Sequence, residues 1–293
     1  MIKYIRLLRV HHYIKNLLVM AALVFSGQLL DTGKLISGLI GVCAFCFASS
    51  FVYILNDIKD RDKDRLHPKK KNRPIASGAV SVKSAYVVAF ICLAIVCGLS
   101  ILVFSYFSFA LILLYILINF GYSSGLKNIP LVDVMILVAG FLIRVVYGAI
   151  ITDIPVSNWL YLTVISLSFF LAFGKRRNEF KQLGASAGTR ESLKGYSVEF
   201  LDKSMYMCLT LANVFYALWS VGDSTAEHYH SNLIVFTVPV VLLITLKYSL
   251  NIEKETSDGD PVDVLLHDKL LIVLCLLYAG FMMFVLYVGK FWL

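Results

Sequence analysis

Charged residues are scarce in this chain. They make up only 16% of its 293 residues, whereas soluble domains carry about 25%. The charges that are present come in clusters, separated by apolar runs whose length of roughly 15–22 residues matches the hydrocarbon thickness of a bilayer. The scarcity argues against a soluble globular protein, and the apolar runs predict a multi-pass membrane protein.

Two further signals are lacking. The basic, amphipathic stretch 1–16 is not followed by the small-residue cleavage site of a secretory signal, so we expect an interfacial segment that leads into the first span. Cysteine offers no metal or redox site either. Cys43 and Cys46 form a C-x-x-C, but their flanks are wholly apolar and no second pair lies nearby. Free cysteine in such a setting is usually a small buried helix residue.

The apolar runs predict nine membrane spans. Helices are the expected spanning element, because hydrocarbon offers unpaired backbone groups no partner. The sequence therefore predicts an all-α polytopic membrane protein, with 1–293 as a single integral membrane domain. The spans are expected near 17–30, 35–55, 84–104, 107–122, 134–151, 158–173, 204–220, 233–250 and 270–289.

Lysine and arginine are distributed asymmetrically about these spans. With the N-terminus in the cytoplasm, 24 of the 27 basic residues lie on the cytoplasmic side, and the exceptions are Lys34, Lys290 and Arg144. The positive-inside rule then predicts a cytoplasmic N-terminus and an external C-terminus. Basic cytoplasmic loops are expected of any bacterial inner-membrane protein, so the net charge of +8 is no argument for a nucleic-acid partner, and none is predicted.

Acidic residues placed among these bases need a separate explanation. At about 100° per residue, a helix puts Asn56, Asp57, Asp60 and Asp64 within one arc of about 100°, while Asp62 points elsewhere. Carboxylates on one face repel one another unless a cation lies between them, and a small set of hard oxygen ligands suits Mg²⁺. The alternative is a solvated loop whose acids balance its bases.

The sequence resembles a known family at this point. Asn56-Asp57-Ile58-Lys59-Asp60-Arg61-Asp62-Lys63-Asp64, followed by Arg73-Pro74-Ile75-Ala76-Ser77-Gly78, is similar to the first signature of the UbiA superfamily of intramembrane prenyltransferases. The resemblance implies a nine-helix bundle with a central cavity that opens to the cytoplasm. It also implies that the four matching residues bind Mg²⁺, which holds a substrate diphosphate.

Further segments resemble one branch, the decaprenyl-phosphate phosphoribosyltransferases. That branch implies transfer of the phosphoribosyl group from 5-phosphoribosyl-1-diphosphate (PRPP) to a polyprenyl phosphate, with release of diphosphate, for lipid-linked pentose and cell-wall precursor synthesis. The cytoplasmic motif loops would span about 56–83, 121–133, 174–203 and 251–269. The segments are 12–16, 122–127 with Asp133, 174–179, 196–202, and 259–261 with Asp268.

One departure from prenyl-transferring members is informative. Those members carry a second D-x-x-x-D set after the sixth span, whereas this chain offers Glu199 and Asp202, with Tyr196 one turn earlier. The three share a helix face. They could bind a second metal ion, a ribose hydroxyl or a basic residue, or form a surface pair without a role in catalysis.

Basic residues would offset the substrate's negative charge, although positive-inside bias also explains their location. Positive-inside bias does not explain Arg144, because this residue lies within an apolar span and not in a loop. A charge there costs about 2.5 kcal/mol or more unless it faces a polar cavity or partner. It is either a donor in the cavity or a structural anchor between helices.

The predicted site residues fall into three groups. The predicted catalytic residues are Asp57, Asp60, Lys127 and Arg144, and the predicted metal ligands are Asn56, Asp57, Asp60 and Asp64. The predicted substrate-binding residues are Lys15, Asn16, Arg73, Tyr122, Lys127, Asp133, Arg144, Lys175, Arg176, Arg177, Tyr196, Glu199 and Asp202.

Two rival functions remain open from the sequence. An aromatic prenyltransferase of quinone synthesis would share the fold and the first motif, and a non-enzymatic lipid-carrier transporter would share the spans. The missing second aspartate motif argues against the first rival. The absence of paired, Gly- or Pro-interrupted half-helices argues against the second. The sequence is compatible with a homo-oligomer.

Overall fold

The computed structural model describes residues 2–66, 70–183, 191–229, 231–254 and 261–288. Every regular element within those ranges is a helix. The predicted all-α class is therefore confirmed. Helices cluster into two compact units, the first formed by Met1–Leu126 with Ile143–Pro155 and the second by Lys127–Leu142 with Val156–Leu293.

The first unit is built around one long helix. This helix, α3, begins where Asp31 accepts a hydrogen bond from the Lys34 amide (3.1 Å) and ends at Lys59. Serine caps begin the next two spans at Ser81 and Ser105. The helices of this unit are α1 (Ile2–Leu8), α2 (Ala21–Phe25), α3 (Thr32–Lys59), α4 (Arg61–Leu66), α5 (Val82–Leu102) and α6 (Tyr106–Ser124), with the last part of α7 (Val132–Thr152).

The second unit contains the first part of α7 and the helices that follow. Ser197 and Asp268 accept hydrogen bonds from backbone amides at the starts of two of these helices. A buried apolar cluster joins α7, α8, α9, α11, α12 and α13. The helices are α8 (Asn158–Leu183), α9 (Val198–Val221), α10 (Asp223–Tyr229), α11 (Val238–Ile252), α12 (Pro261–Leu266) and α13 (Lys269–Met283), the last continued by a π-helical turn over Phe284–Val288.

The described helices agree with the predicted spans. Eight are long and apolar enough to cross a membrane, and the bent pair Ile2–Leu8 and Val10–Phe25, with a 42° bend, makes a ninth if it is one span. The chain is therefore a multi-pass membrane protein. The central cavity that the resemblance implied stays a prediction.

The first span differs from the prediction in its winding. Residues Val10–Met20 form a 3₁₀-helix of 11 residues, which α2 continues. Because a 3₁₀-helix has three residues per turn, Tyr13, Asn16 and Val19 lie along one line on its surface. Tyr13 contacts Ser50 at 2.8 Å, and Asn16 and Val19 are buried. A rise of about 2.0 Å per residue lets this short segment, with α2, extend over about 30 Å.

A close backbone approach holds the first span against α7. A Cβ atom added to Gly148 would lie 1.8 Å from the carbonyl oxygen of Val19. Only glycine can accommodate that approach. Gly148 lies in the middle of α7 and not in a loop. Glycine is therefore required there for close packing and not for an unusual backbone conformation.

Candidate active site

The carboxylate of Asp57 lies buried between two arginines, near the end of α3 that the sequence predicts to be cytoplasmic. Its Oδ1 is 2.6 Å from Arg9 Nη2 and 3.1 Å from Arg73 Nη1. The same Arg73 nitrogen lies 2.7 Å from Oδ2 of Asp64, which is also buried. Two of the four predicted metal ligands therefore meet at one cationic nitrogen atom.

The positions of Asp57 and Asp64 bear on whether a metal ion fits between them. The guanidinium nitrogen of Arg73 occupies a position where two carboxylate oxygens converge, and such hard oxygen donors suit Mg²⁺. Among the described residues, no group of three or more His, Cys, Asp or Glu side chains is placed to hold a metal ion. A metal at this position would therefore take its remaining ligands from amide oxygen, water or substrate.

Sequence reasoning missed Arg9 as a member of this cluster. Arg9 has a φ of 54°, which turns the chain between α1 and the 3₁₀ segment. Its guanidinium also lies over the ring of Tyr53, 4.9 Å from the centroid. Ser50 donates to the carbonyl of Leu8 at 2.8 Å and fastens the same turn to α3. No sequence signal distinguishes Arg9 from the other basic residues before the first span.

The remaining members of the acidic motif face different partners. Asn56 accepts a hydrogen bond from Ser123 at 2.9 Å, which joins α3 to α6. Asp60 is half-buried and interrupts the helix, so α3 does not continue unbroken to Asp64 as the sequence predicted. The interruption is one residue long, and the Asp64 amide still donates to the carbonyl of Asp60 at 2.8 Å. Asp62 is 80% exposed, as predicted.

Arg144 lies in a second polar cluster, deep in the first unit. Its Nε donates to Asn16 Oδ1 at 2.8 Å and its Nη2 donates to the Tyr115 hydroxyl at 3.1 Å. The guanidinium also lies over the rings of Tyr115 and Phe45. Asn16 in turn donates to Ser49 Oγ at 3.3 Å. Ser49 precedes Asp57 by eight residues on α3, a distance of about 12 Å along the helix axis.

A third cluster lies in the second unit around Asp133, in the first turn of α7. Tyr196 donates to Oδ1 of Asp133 at 2.7 Å. The other carboxylate oxygen lies 2.6 Å from Arg176 Nε and 3.2 Å from Ser192 Oγ. The side chains of Asp133 and Arg176 are 0% and 1% exposed. Burial raises the pKa of the Tyr196 hydroxyl well above its ordinary value, so this group stays protonated and keeps its donor hydrogen.

A fourth cluster contains the next arginine of the same motif. Arg177 is buried and pairs through Nε with Asp202, while its Nη2 lies 3.8 Å from Glu253. The Tyr206 hydroxyl donates to Glu253 at 2.5 Å. Of the alternatives that the sequence left open for Asp202, the contact observed is the one with a basic residue. Glu199 is exposed.

Four other predicted substrate-binding residues lie at the surface of these units. They are half-buried: Lys15, Tyr122, Lys127 and Lys175. In the last motif segment, Asp268 begins α13 and pairs with Lys247 at 2.8 Å. The hydrogen bond from Lys247 holds the Asp268 pKa well below the usual carboxyl range. Residues 259 and 260 of that segment lie outside the described residues.

Comparisons with known proteins agree with this architecture. A decaprenyl-phosphate phosphoribosyltransferase from Corynebacterium glutamicum is 32% identical over 298 positions, which cover 97% of this chain and 86% of that protein. One from Mycolicibacterium smegmatis is 33% identical over 297 positions, covering 94% and 90% of the two chains.

Solved structures give the fold independently. The structure of a UbiA homolog from Archaeoglobus fulgidus bound to GPP and Mg²⁺ superimposes with a TM-score of 0.74, covers 97% of this chain and 99% of that chain, and is 20% identical. At that identity the likeness establishes the fold. The model of the UbiA prenyltransferase family matches residues 17–248, most of the chain. This chain therefore belongs to the UbiA prenyltransferase family.

Proposed function

We propose that the protein is a Mg²⁺-dependent phosphoribosyltransferase that uses PRPP and a polyprenyl phosphate. The observation that carries this proposal is similarity along nearly the whole chain to proteins named decaprenyl-phosphate phosphoribosyltransferase. In the reaction, the bond between ribose C1 and the diphosphate oxygen breaks. A bond between C1 and an oxygen of the lipid phosphate forms, and diphosphate leaves.

We propose that Asp57, Asp60 and Asp64, with the amide of Asn56, hold the metal ion. The convergence of Asp57 and Asp64 on Arg73 Nη1 supports a cation at this end of α3. Bound Mg²⁺ would neutralise negative charge on the diphosphate as it leaves. The Mg²⁺-bound structure of the Archaeoglobus fulgidus homolog is consistent with a divalent cation in this fold.

Cationic side chains of the chain bind the remaining phosphate charge in this proposal. PRPP carries about five negative charges and the lipid phosphate nearly two, by usual phosphate ionisation. Lys127 and Lys175 both belong to the second unit and are half-buried, and an ammonium group suits phosphate contacts as a point charge. Arg73 already lies at the carboxylates and suits the diphosphate. Lys175, Arg176 and Arg177 are consecutive in one motif and are our candidates for holding the 5-phosphate.

The reacting groups need little acid or base assistance from the protein. A phosphate monoester is already ionised near neutral pH, so it can attack C1 without a strong general base. Positive charge develops on the ribose ring as diphosphate leaves, as in other glycosyl transfers. Attack from the face opposite the leaving group inverts the anomeric centre. Because water would hydrolyse PRPP, the residues that line the site must exclude it.

We place the N-terminus and the site on the cytoplasmic side of a bacterial cell membrane, because the positive-inside rule favours that orientation. The four motif loops then face the compartment that supplies PRPP. The polyprenyl tail stays in the bilayer, and its phosphate reaches the site at the membrane surface. The product is a lipid-linked pentose phosphate for cell-wall precursor synthesis.

The test uses the protein in nanodiscs with Mg²⁺, labelled PRPP and a polyprenyl phosphate. We expect a labelled lipid product, its loss with EDTA, and its recovery when Mg²⁺ is added in excess. Asp57→Ala should abolish product formation. Asp62→Ala is the matched control, since this exposed acid lies in the same motif and should retain activity.

Two outcomes would overturn the proposal. If geranyl diphosphate with an aromatic acid gives product and PRPP gives none, the protein is an aromatic prenyltransferase. If EDTA has no effect on activity with PRPP, the metal assignment is wrong.

A further inference from the structure

We propose that the Tyr196 hydroxyl is a positioning group that fixes the turn carrying Lys127. The proposal rests on the proposed function, because it assumes that Lys127 contacts a substrate phosphate. Tyr196 was predicted from the sequence to bind substrate directly. Its contacts point instead to an indirect role.

One oxygen atom of Tyr196 makes two hydrogen bonds. It accepts from the backbone amide of Leu131 at 2.6 Å and donates to Oδ1 of Asp133 at 2.7 Å. Leu131 is the last residue before α7, and Asp133 lies in its first turn. The hydroxyl therefore joins the two sides of the junction between the Lys127 turn and the helix.

The junction has a backbone conformation that needs support. Leu131 has a φ of 65°, which is uncommon for a residue other than glycine. Leu131 is 47% exposed, so packing of this residue is incomplete and the hydrogen bond to its amide adds to what holds the conformation. Lys127 lies four residues earlier, in the 3₁₀ turn Leu126–Asn128. A change of φ at Leu131 would swing this turn relative to α7.

Substrate has no access to the atoms that hold the junction. The second oxygen of Asp133 contacts Arg176 and Ser192, and all three side chains are buried. The loop that carries Tyr196 is seated tightly, because a Cβ on Gly195 would lie 2.4 Å from Pro130 Cγ. Tyr196 is itself buried. The cluster is therefore closed, and it acts on substrate through the residues that it positions.

The experiment compares Tyr196→Phe with Tyr216→Phe. Tyr216 is also buried in the second unit, and its hydroxyl contacts Thr237 at 2.5 Å, so both variants lose one buried hydroxyl. We expect Tyr196→Phe to raise KM for PRPP about tenfold with little change in kcat, as for a misplaced binding group. Tyr216→Phe should leave both constants within about twofold, although both variants lose some thermal stability.

Hydrogen–deuterium exchange gives a readout that does not depend on activity. Amides of residues 131–133 should exchange faster in Tyr196→Phe than in the wild type or in Tyr216→Phe. A rescue variant follows from the backbone geometry. Glycine adopts positive φ readily, so Leu131→Gly in the Tyr196→Phe background should recover most of the loss in KM.

The outcomes separate this inference from the proposed function. If the wild-type protein makes no product from PRPP, the proposed function fails, while the exchange measurement still tests the junction. If the wild type is active and Tyr196→Phe matches Tyr216→Phe in KM and in exchange, the positioning role is wrong. If Tyr196→Phe instead lowers kcat with KM and exchange unchanged, the hydroxyl acts in the chemical step and the inference fails.

Discussion

Arg144 donates from Nε to Oδ1 of Asn16 across 2.8 Å and so joins residues that are 128 positions apart in the sequence. The pair links the 3₁₀ segment to α7 within the first unit. Arg144 is 5% exposed, and a charge in the middle of a span costs about 2.5–3.5 kcal/mol without compensation. Here neutral oxygen acceptors and aromatic rings surround it, which favours the anchor over the catalytic role predicted from the sequence.

Replacement of the acceptor tests that anchor. Asn16→Ala removes the oxygen that Arg144 Nε contacts, so we expect the free energy of unfolding to fall by about 1–3 kcal/mol. Thermal unfolding in detergent would measure it. Asn119→Ala is the control, because Asn119 is half-buried and donates to the Tyr115 carbonyl one turn earlier on the same helix. Equal destabilisation by the two substitutions would argue against the anchor.

Arg73 and a metal ion are expected to neutralise the negative charge of the same two carboxylates, Asp57 and Asp64. Arg73→Gln leaves Asp57 and Asp64 without the shared guanidinium, so a divalent cation should stabilise this variant more than the wild type. The measurement is the shift in Tm on adding Mg²⁺ after EDTA treatment. Arg61→Gln is the control, since its partner Asp62 is exposed. The same shift in all three proteins would contradict cation binding at Asp57 and Asp64.

Gly98 in α5 and Gly148 in α7 are expected to respond in opposite ways to replacement by alanine. Gly148→Ala would push a methyl group against the Val19 carbonyl and should destabilise the protein by about 3 kcal/mol. Gly98→Ala meets no atom within 4 Å and lies within a helix, so it should be neutral or stabilising by up to about 1 kcal/mol. Chemical denaturation in mixed micelles would compare them. A tolerated Gly148→Ala would show that the close approach is not required.

Asp202 is expected to act through Arg177. Asp202→Asn weakens the pair with this buried arginine, so Tm should fall while the Mg²⁺ concentration for half-maximal activity stays unchanged. Glu199→Gln changes an exposed acid nearby and should alter neither quantity. A large rise in the Mg²⁺ requirement of Asp202→Asn would indicate instead that this carboxylate binds a second metal ion.

The spans could be predicted because their signal is local and strong. An apolar run of bilayer length leaves the backbone no alternative to a helix, and each predicted span overlaps a described helix. From spacing, the sequence also predicted that Asn56, Asp57, Asp60 and Asp64 share one helix face around a metal ion. The structure brings Asp57 and Asp64 to Arg73 while Asn56 contacts Ser123, and the metal assignment stays a prediction.

The partners of charged residues could not be predicted in the same way. Arg9 reaches Asp57 across 48 positions, and its backbone adopts a left-handed conformation that no residue type in the segment signals. Tyr196 and Asp133 are 63 positions apart, so their bond depends on tertiary packing. The family resemblance identified Asp57, Asp133 and Tyr196 as important, whereas Arg9 was missed. It did not distinguish a residue that touches substrate from one that holds another residue in place.

The winding of Val10–Met20 couples the length of the first span to the position of Arg9. If these 11 residues rewound as an α-helix, the segment would shorten by about 5 Å and its two ends would counter-rotate by about 220°. With Asn16 fixed to Arg144, that rotation would carry Arg9 away from Asp57. Such rewinding would therefore change the length of the first span and the positive charge beside Asp57 at the same time.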